Sequence, residues 1–102
     1  MSPYHHRPDI PRVVAHQRYT ERHRRMSTSR HRALSELASR HDFEYLELLA
    51  QFKPESGPWS ATPRHRAQRA VADRHPEEYR LLRLHYRELM DADCGPLPGD
   101  DL

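Results

Sequence analysis

The chain has 102 residues, of which 17 are Lys or Arg and 15 are Asp or Glu, so its formal net charge is +2. This length fits one small domain with only a modest buried core. No apolar run approaches the roughly 18 residues of a membrane span, no signal-peptide core is present, and the single Cys94 excludes an internal disulfide. We therefore expect a cytoplasmic protein that does not contact membranes.

The charge is distributed unevenly along the chain. Residues 1–32 contain eight Arg against two acidic residues, a net charge of +6, whereas residues 33–60 contain two basic and five acidic residues, a net charge of −3. Residues 61–90 have seven basic and four acidic residues, giving +3, and residues 91–102 have four Asp and no basic residue, giving −4. This polarity predicts either a polyanionic partner for the basic end or mutual neutralisation of the two ends.

The first segments are a short arm and a basic helix. Residues 1–10 are expected to be flexible, and Pro11 is suited to begin a helix over residues 11–27. Four arginines of this helix are candidates for phosphate contacts: Arg18, Arg22, Arg24 and Arg25. This basic helix precedes the main part of the fold.

The centre of the chain is an internal duplication. Residues 28–53 align with residues 62–87 at an offset of 34 without a gap, with 11 identities in 26 positions. We interpret them as two copies of one structural unit. The period matches that of tetratricopeptide repeats, but the small-residue, alanine and proline signature of that family is missing.

Each copy is predicted to be a hairpin of two helices. Thr28 and Thr62 are suited to cap the first helix, and Asp42 or Pro76 begins the second. The first helix has a narrow apolar stripe and the second a wider one at i, i+3, i+4, i+7 spacing. The stripe residues are Ala33, Leu37, Ala38, Tyr45, Leu48, Leu49 and Phe52 in the first copy, and Ala67, Val71, Ala72, Tyr79, Leu82, Tyr86, Leu89 and Met90 in the second.

These predictions define an all-α fold of tandem duplicated helical hairpins, with four main helices after the basic helix. The domain limits are 28–53 for the first hairpin, 54–61 for a Pro- and Gly-containing linker, 62–90 for the second hairpin and 91–102 for a flexible acidic tail. The linker contains Trp59, which either covers the seam between hairpins or anchors a partner. The two hairpins make a thin core, which a homodimer would enlarge.

Each first helix begins with an Arg-His-Arg triplet, although positive charge opposes the helix dipole there. Antiparallel packing within each hairpin would place the triplets near Lys53 and Arg87, so each open end would be basic. An anion held by these side chains and by free N–H groups would reverse the unfavourable sign. The alternative is that the arginines are solvated or paired with nearby acids. The candidate residues are Arg30, Arg32, Arg64 and Arg66.

Across each predicted turn, Arg40 precedes Glu44 and Arg74 precedes Glu78 by four residues. This spacing predicts structural ion pairs within each hairpin.

Catalysis and metal binding lack sequence support. There is no nucleophile motif and no Gly-rich phosphate loop. The nine histidines have no Cys pairs or paired H-x₃₋₅-H spacing beside them, so we expect no metal, no cofactor and no enzyme activity.

The segment RHPEEYRLL, residues 74–82, resembles stretches in small uncharacterised helical proteins of high-GC actinobacteria and their phages. The usage of 16 Arg but only one Lys is consistent with a GC-rich genome. The resemblance implies a bacterial or bacteriophage origin and no particular activity.

These features favour a small regulatory nucleic-acid-binding protein that contacts the phosphate backbone of DNA or RNA through its basic arm and its Arg-His-Arg triplets. No recognition helix is identifiable, so base specificity is not predicted. The alternative is an adaptor or inhibitor that binds a host protein such as RNA polymerase through its helical faces and Trp59.

Overall fold

The computed structural model describes residues 12–53 and 62–100. These residues form four helices and no strand, which confirms the predicted all-α fold. None of these helices is both long and apolar enough to cross a membrane. The arm at residues 1–10 and the linker at 54–61, with Trp59, lie outside the described residues. The helices are α1 Arg12–Arg40, α2 Asp42–Gln51, α3 Pro63–Arg74 and α4 Pro76–Cys94.

Helix α1 is continuous, so the predicted boundary at Thr28 is wrong. No Pro or Gly interrupts residues 12–40, and the Ser29 hydroxyl donates to the Met26 carbonyl one turn back at 2.9 Å. At the matching position of the second copy stands Pro63, which cannot continue a helix from its N-terminal side. There Thr62 caps α3 as predicted and accepts a hydrogen bond from the His65 N–H at 3.2 Å.

The two helix breaks confirm that the turn is duplicated. His41 has φ −114° and ψ 51°, and His75 at the matching position has φ −129° and ψ 60°. Pro76 disfavours helical geometry at His75, whereas the first copy adopts the same break without a proline. Asp42 does not cap α2 by a side-chain hydrogen bond and is instead an acidic residue of its first turn, where it faces the positive end of the dipole.

The hairpins do not pack on themselves as expected. Helix α1 lies along α4, α2 lies along α3, and α1 crosses α3 at the centre of the molecule. Each copy thus packs its first helix against the second helix of the other copy. Two subunits related by a two-fold axis make reciprocal contacts of this kind. The duplicated chain therefore folds like a dimer of hairpins.

The core is built from matching positions of both copies. The predicted stripes are buried where α1 and α3 pack: Ala33 and Ala67 have no exposed surface, nor do Leu37 and Val71. Small side chains at these positions permit a close approach of the two helices. The remaining core residues are Leu34, Ala38, Leu48, Ala72 and Leu82, with Tyr45, Leu49, Phe52, Tyr79 and Tyr86 partly buried around them, while Met90 is also buried and Leu89 is 43% exposed.

One end of the molecule consists of the parts of α1 and α4 that extend beyond the duplicated unit. The protein measures 60 × 32 × 19 Å, so it is a thin and elongated bundle. The acidic end, predicted to be a flexible tail, is instead structured as far as residue 100: residues 91–94 complete α4 and residues 95–100 return to α1. Gly99, with φ 91°, permits this return, since a Cβ there would lie 2.8 Å from Val14 Cγ1.

Candidate nucleic-acid interface

Three of the four candidate arginines of the predicted basic helix form ion pairs with acidic residues of the same protein. Arg18 pairs with Asp100 at 2.6 Å, and Arg24 pairs with Glu21 at 2.6 Å. The alternative that the two ends of the chain neutralise each other therefore holds for Arg18. Arg24 pairs with Glu21 of its own helix and also donates to Cys94 Sγ of α4 at 3.6 Å.

Arg25 is a buried anchor between α1 and α4. Its side chain is 3% exposed and donates to Glu21 at 3.0 Å and to Asp91 at 2.9 Å. Hydrogen bonds from Arg24 and Arg25 lower the pKa of Glu21 to about 2. Burial, which raises the pKa of Asp91, is outweighed by hydrogen bonds from Arg25 and Arg87, so this pKa is lowered. Arg25 is consequently structural and unavailable to a nucleic acid.

The Arg-His-Arg triplets do not form two equivalent helix starts. Arg30 and Arg32 lie in the middle of α1, where the backbone N–H groups are used by the helix. In α3, Pro63 has no N–H, the His65 N–H is capped by Thr62, and the Arg66 N–H donates to the Thr62 carbonyl at 3.0 Å. Among the described residues of this turn, Arg64 keeps an N–H that could face an anion. The predicted helix start at Arg30 and Arg32 is therefore wrong, and an anion site at Arg64 and Arg66 stays a prediction.

The structure also separates the side chains of the triplets. Arg30, Arg32 and Arg64 are exposed, and none of them has an ion pair among the described residues. The guanidinium of Arg66 lies 4.5 Å from the ring centre of Phe52, at the end of α2. Arg22 is exposed on α1 and likewise has no ion pair in the described part of the chain.

A groove between α1 and α4 gathers four arginines. Arg30 comes from α1, and Arg80, Arg83 and Arg87 come from one face of α4 at i, i+3, i+7 spacing. The groove has a volume of about 330 Å³. Ser29 contributes a hydroxyl-bearing side chain, and Met26 and Leu84 form its apolar part. We call these seven residues the arginine groove.

The arginines of this groove differ in how far they are engaged. Arg80 pairs with Glu77 at 2.6 Å, which raises the pKa of Arg80 and lowers that of Glu77. Arg87 pairs with Asp91 at 3.2 Å. Arg83 lies over the Tyr79 ring, 4.9 Å from its centre, and like Arg30 it has no carboxylate partner among the described residues. Within residues 12–53 and 62–100, no carboxylate therefore compensates these two guanidinium groups of the groove.

Arg80 and Arg83 are not among the residues of the predicted site, and Arg87 is predicted only as part of a basic open end. The matching residues of the first copy are Leu46, Leu49 and Lys53, so the duplication indicates a basic residue only at the position of Arg87. The spacing of the three α4 arginines was visible in the sequence. Their alignment beside Arg30 was not, because it depends on crosswise packing.

A second polar cluster lies where the two turns meet. The imidazoles of His41 and His75 are stacked with ring centres 3.7 Å apart and planes 10° apart. His41 Nε2 lies 2.8 Å from Glu78 Oε2, and His75 Nε2 lies 3.1 Å from Glu44 Oε2. Each hydrogen bond joins the two copies. We call these four residues the His-Glu cluster.

The arginines at the two turns pair with glutamates of the other copy, whereas the sequence predicts pairs within each copy. Arg40 contacts Glu78 at 3.3 Å and Glu36 at 3.1 Å, and Arg74 lies 3.6 Å from Glu44. The predicted pairs within each turn are wrong because each second helix faces the other copy. Hydrogen bonds from His41 and then Arg40 lower the pKa of Glu78, and one from His75 lowers that of Glu44.

Comparison of the chain with protein-family models, with curated proteins and with solved structures gives no match. Function is therefore inferred from the chain's own surfaces.

Proposed function

We propose that this protein is a small regulatory nucleic-acid-binding protein and that its arginine groove contacts phosphate groups of DNA or RNA. The observation that carries the proposal is the convergence of Arg30 with Arg80, Arg83 and Arg87 along one groove. Guanidinium groups bind phosphate oxygens in a bidentate manner, and release of counterions favours the complex. A cytoplasmic, bacterial or bacteriophage setting and a binding role without catalysis belong to this proposal.

The size of the groove suits backbone contacts. Arg87 follows Arg80 by seven positions in α4, a rise of about 10 Å along the helix. One strand of a duplex presents about three phosphates over that length. Arg22 and Arg32 on α1 supply further exposed cations, whereas Arg18 is neutralised by Asp100 and Arg25 is buried against Asp91. Phosphate contacts of this kind give affinity without base specificity.

Fluorescence anisotropy with a labelled duplex and a labelled single-stranded RNA tests this proposal. With four phosphate contacts, affinity should fall about 100-fold between about 50 and 200 mM salt. The slope of the logarithm of the binding constant against the logarithm of the salt concentration should become shallower in the double variant Arg30→Glu with Arg83→Glu, by the amount expected for the loss of about two phosphate contacts. Lys53→Glu with Arg69→Glu is the matched control, since both residues are exposed, the net charge changes equally, and neither lines the groove. Salt-independent binding, or an equal loss in the control, would contradict the proposal.

A second candidate function is the adaptor role, favoured by the outward face of α2. Phe43 is 85% exposed and Leu46 is 51% exposed, and with Ala50 they form an i, i+3, i+7 stripe opposite the buried Leu48. A helix that is apolar on both faces normally has a partner on each. The proposed partner is a host protein such as RNA polymerase, and the alternative occupant is a second copy in a homodimer.

The adaptor role is tested with purified RNA polymerase. Binding that resists moderate salt and is lost in Phe43→Ser with Leu46→Ser would support it. Leu81→Ser, an exposed leucine of α4, is the control. Unchanged binding of RNA polymerase by the double variant would contradict the adaptor role. Light scattering of the protein alone measures its molecular mass and so shows whether this face instead binds a second copy.

A further inference from the structure

The His-Glu cluster lies at the centre of the pseudo-symmetric fold and is not used by the arginine groove. His41, His75 and Glu78 each offer a ligand atom, and these atoms lie within 4.8 Å of one another. Glu44 completes the pattern, because it accepts from His75 as Glu78 accepts from His41. The duplication thus assembles two imidazoles and two carboxylates from residues that are distant in sequence.

These donors are the ligand types that Zn²⁺ takes in proteins. Zinc bonds of about 2.0–2.1 Å to nitrogen and oxygen place neighbouring ligand atoms about 3.3 Å apart in a tetrahedral site. The His41–Glu78 contact, at 2.8 Å, needs to open by about half an ångström, and any pair of the three ligand atoms that is farther apart than about 3.3 Å, within their 4.8 Å limit, must close. Both imidazoles are partly exposed, so an ion can reach them from solvent.

Ring orientation is the main change that binding requires. Ring nitrogens donate to a metal in the ring plane, and parallel stacked rings cannot aim at one ion. At least one imidazole must turn about its Cβ–Cγ bond, and the ring proton must reside on Nδ1 where Nε2 is the ligand. The stack sits at two helix breaks and not within a helix, so a ring can turn without disturbing backbone hydrogen bonds of a helix interior.

The surrounding charges permit a cation. Arg40 and Arg74 compete for the two carboxylates, but Arg40 also contacts Glu36 at 3.1 Å and can keep that partner. Arg74 is held only loosely by Glu44, at 3.6 Å. An entering Zn²⁺ would therefore displace the Arg40 guanidinium from Glu78 and replace the His41–Glu78 hydrogen bond with metal–ligand bonds.

We propose that the His-Glu cluster binds a single Zn²⁺ ion through His41, His75 and Glu78, with Glu44 orienting the ring of His75 through its hydrogen bond. The ion would join the two copies at the point where their turns meet. The proposal is independent of nucleic-acid binding.

The test is a Zn²⁺ titration of the full chain by calorimetry, together with ¹H–¹⁵N NMR of the histidine rings. We expect one binding event in which the ring nitrogens of His41 and His75 shift while the backbone spectrum stays folded. Substitution of Co²⁺ should give the intense visible absorption of tetrahedral coordination. Shifts confined to other histidines, or no event attributable to His41 and His75, would overturn the proposal.

Two variants separate ligation from folding. His41→Gln with His75→Gln should weaken this event at least about tenfold. Glu78→Gln keeps a hydrogen-bonding group beside His41 but removes the anionic ligand, and should also weaken binding. The matched control is His31→Gln with His65→Gln, a pair at equivalent positions of the two copies that lies outside the cluster. Equal affinity in cluster and control variants would overturn the site even if the cluster variant were less stable.

Discussion

His41 and Glu78 lie 2.8 Å apart, although they belong to different copies of the duplicated unit. The reciprocal contact of His75 with Glu44 shows that the exchange is a property of the whole fold. Each hairpin opens at its turn and packs its helices against those of the other copy. The protein is therefore a single-chain equivalent of a two-fold dimer.

The crosswise contacts can be measured by double-mutant cycles. Substitution of His41 and Glu78 by Gln, singly and together, should give a stabilising coupling energy in urea unfolding, because the two groups touch. The same cycle on His41 and Glu44, the pair within one copy, should give a smaller coupling. A larger coupling within the copy than between copies would contradict the crossed packing.

Close approach of α1 and α3 depends on their alanines. Ala67→Leu inserts three carbons where no space is exposed, so we expect a loss of about 2 kcal/mol in the free energy of unfolding. Ala50→Leu makes the same change on the exposed face of α2 and should have little effect. Urea denaturation of both variants measures the difference, and similar values would argue against a tight helix crossing.

One hydrogen bond distinguishes the two copies. The Tyr86 hydroxyl donates to Glu36 at 2.8 Å, and this bond raises the pKa of Tyr86. Tyr86→Phe creates the residue found at the matching position, Phe52, and should cost about 1 kcal/mol of unfolding free energy. Phe52→Tyr is the control and should gain nothing, because Ala70 stands where the second copy would need a glutamate. An unchanged stability in Tyr86→Phe would contradict the contact.

Acid should destabilise the fold through its glutamates. The folded-state pKa values of Glu44 and Glu78 are lowered by their histidine contacts, and that of Glu21 is lowered to about 2. Groups with lowered pKa values contribute stability that is complete above their ordinary value of 4.5 and is lost as the pH falls through the folded value. The melting temperature followed by circular dichroism should therefore fall from pH 5 towards about pH 2.

Variants locate the source of this acid sensitivity. Glu21→Gln should flatten part of the decline, whereas Glu47→Gln should leave the profile unchanged, since Glu47 is exposed and has no ion pair among the described residues. A melting temperature that stays constant throughout this range in the unsubstituted protein would exclude the proposed contribution.

The sequence predicts much of the local structure of this protein and little of which helices pack against each other. The apolar periodicity identified the buried positions such as Leu37 and Val71, and Thr62-Pro63 identified the start of α3. The same pattern predicts a boundary at Thr28, because Thr is a common N-cap residue, but no proline follows Thr28 as Pro63 follows Thr62. The pairing of the helices depends on how the apolar faces of the two copies are buried against each other. Residue spacing within one copy does not contain that information.

The candidate site illustrates the same limit. Arg25 was assigned to phosphate contacts because its charge is evident in the sequence, whereas its burial against Asp91, 66 residues away, is a tertiary fact. The sequence does not predict the His-Glu cluster for a related reason, since each histidine meets a glutamate of the other copy, 37 residues away for His41 and 31 for His75, only through the crossed turns.

Arginine side-chain NMR of the protein titrated with a short DNA duplex is the most direct measurement of the arginine groove. The account predicts that the Nε–Hε signals of Arg30 and Arg83 shift on binding while those of Arg18 and Arg25, held by Asp100 and Asp91, stay in place. Shifts restricted to Arg18 and Arg25, with Arg30 and Arg83 unaffected, would contradict it.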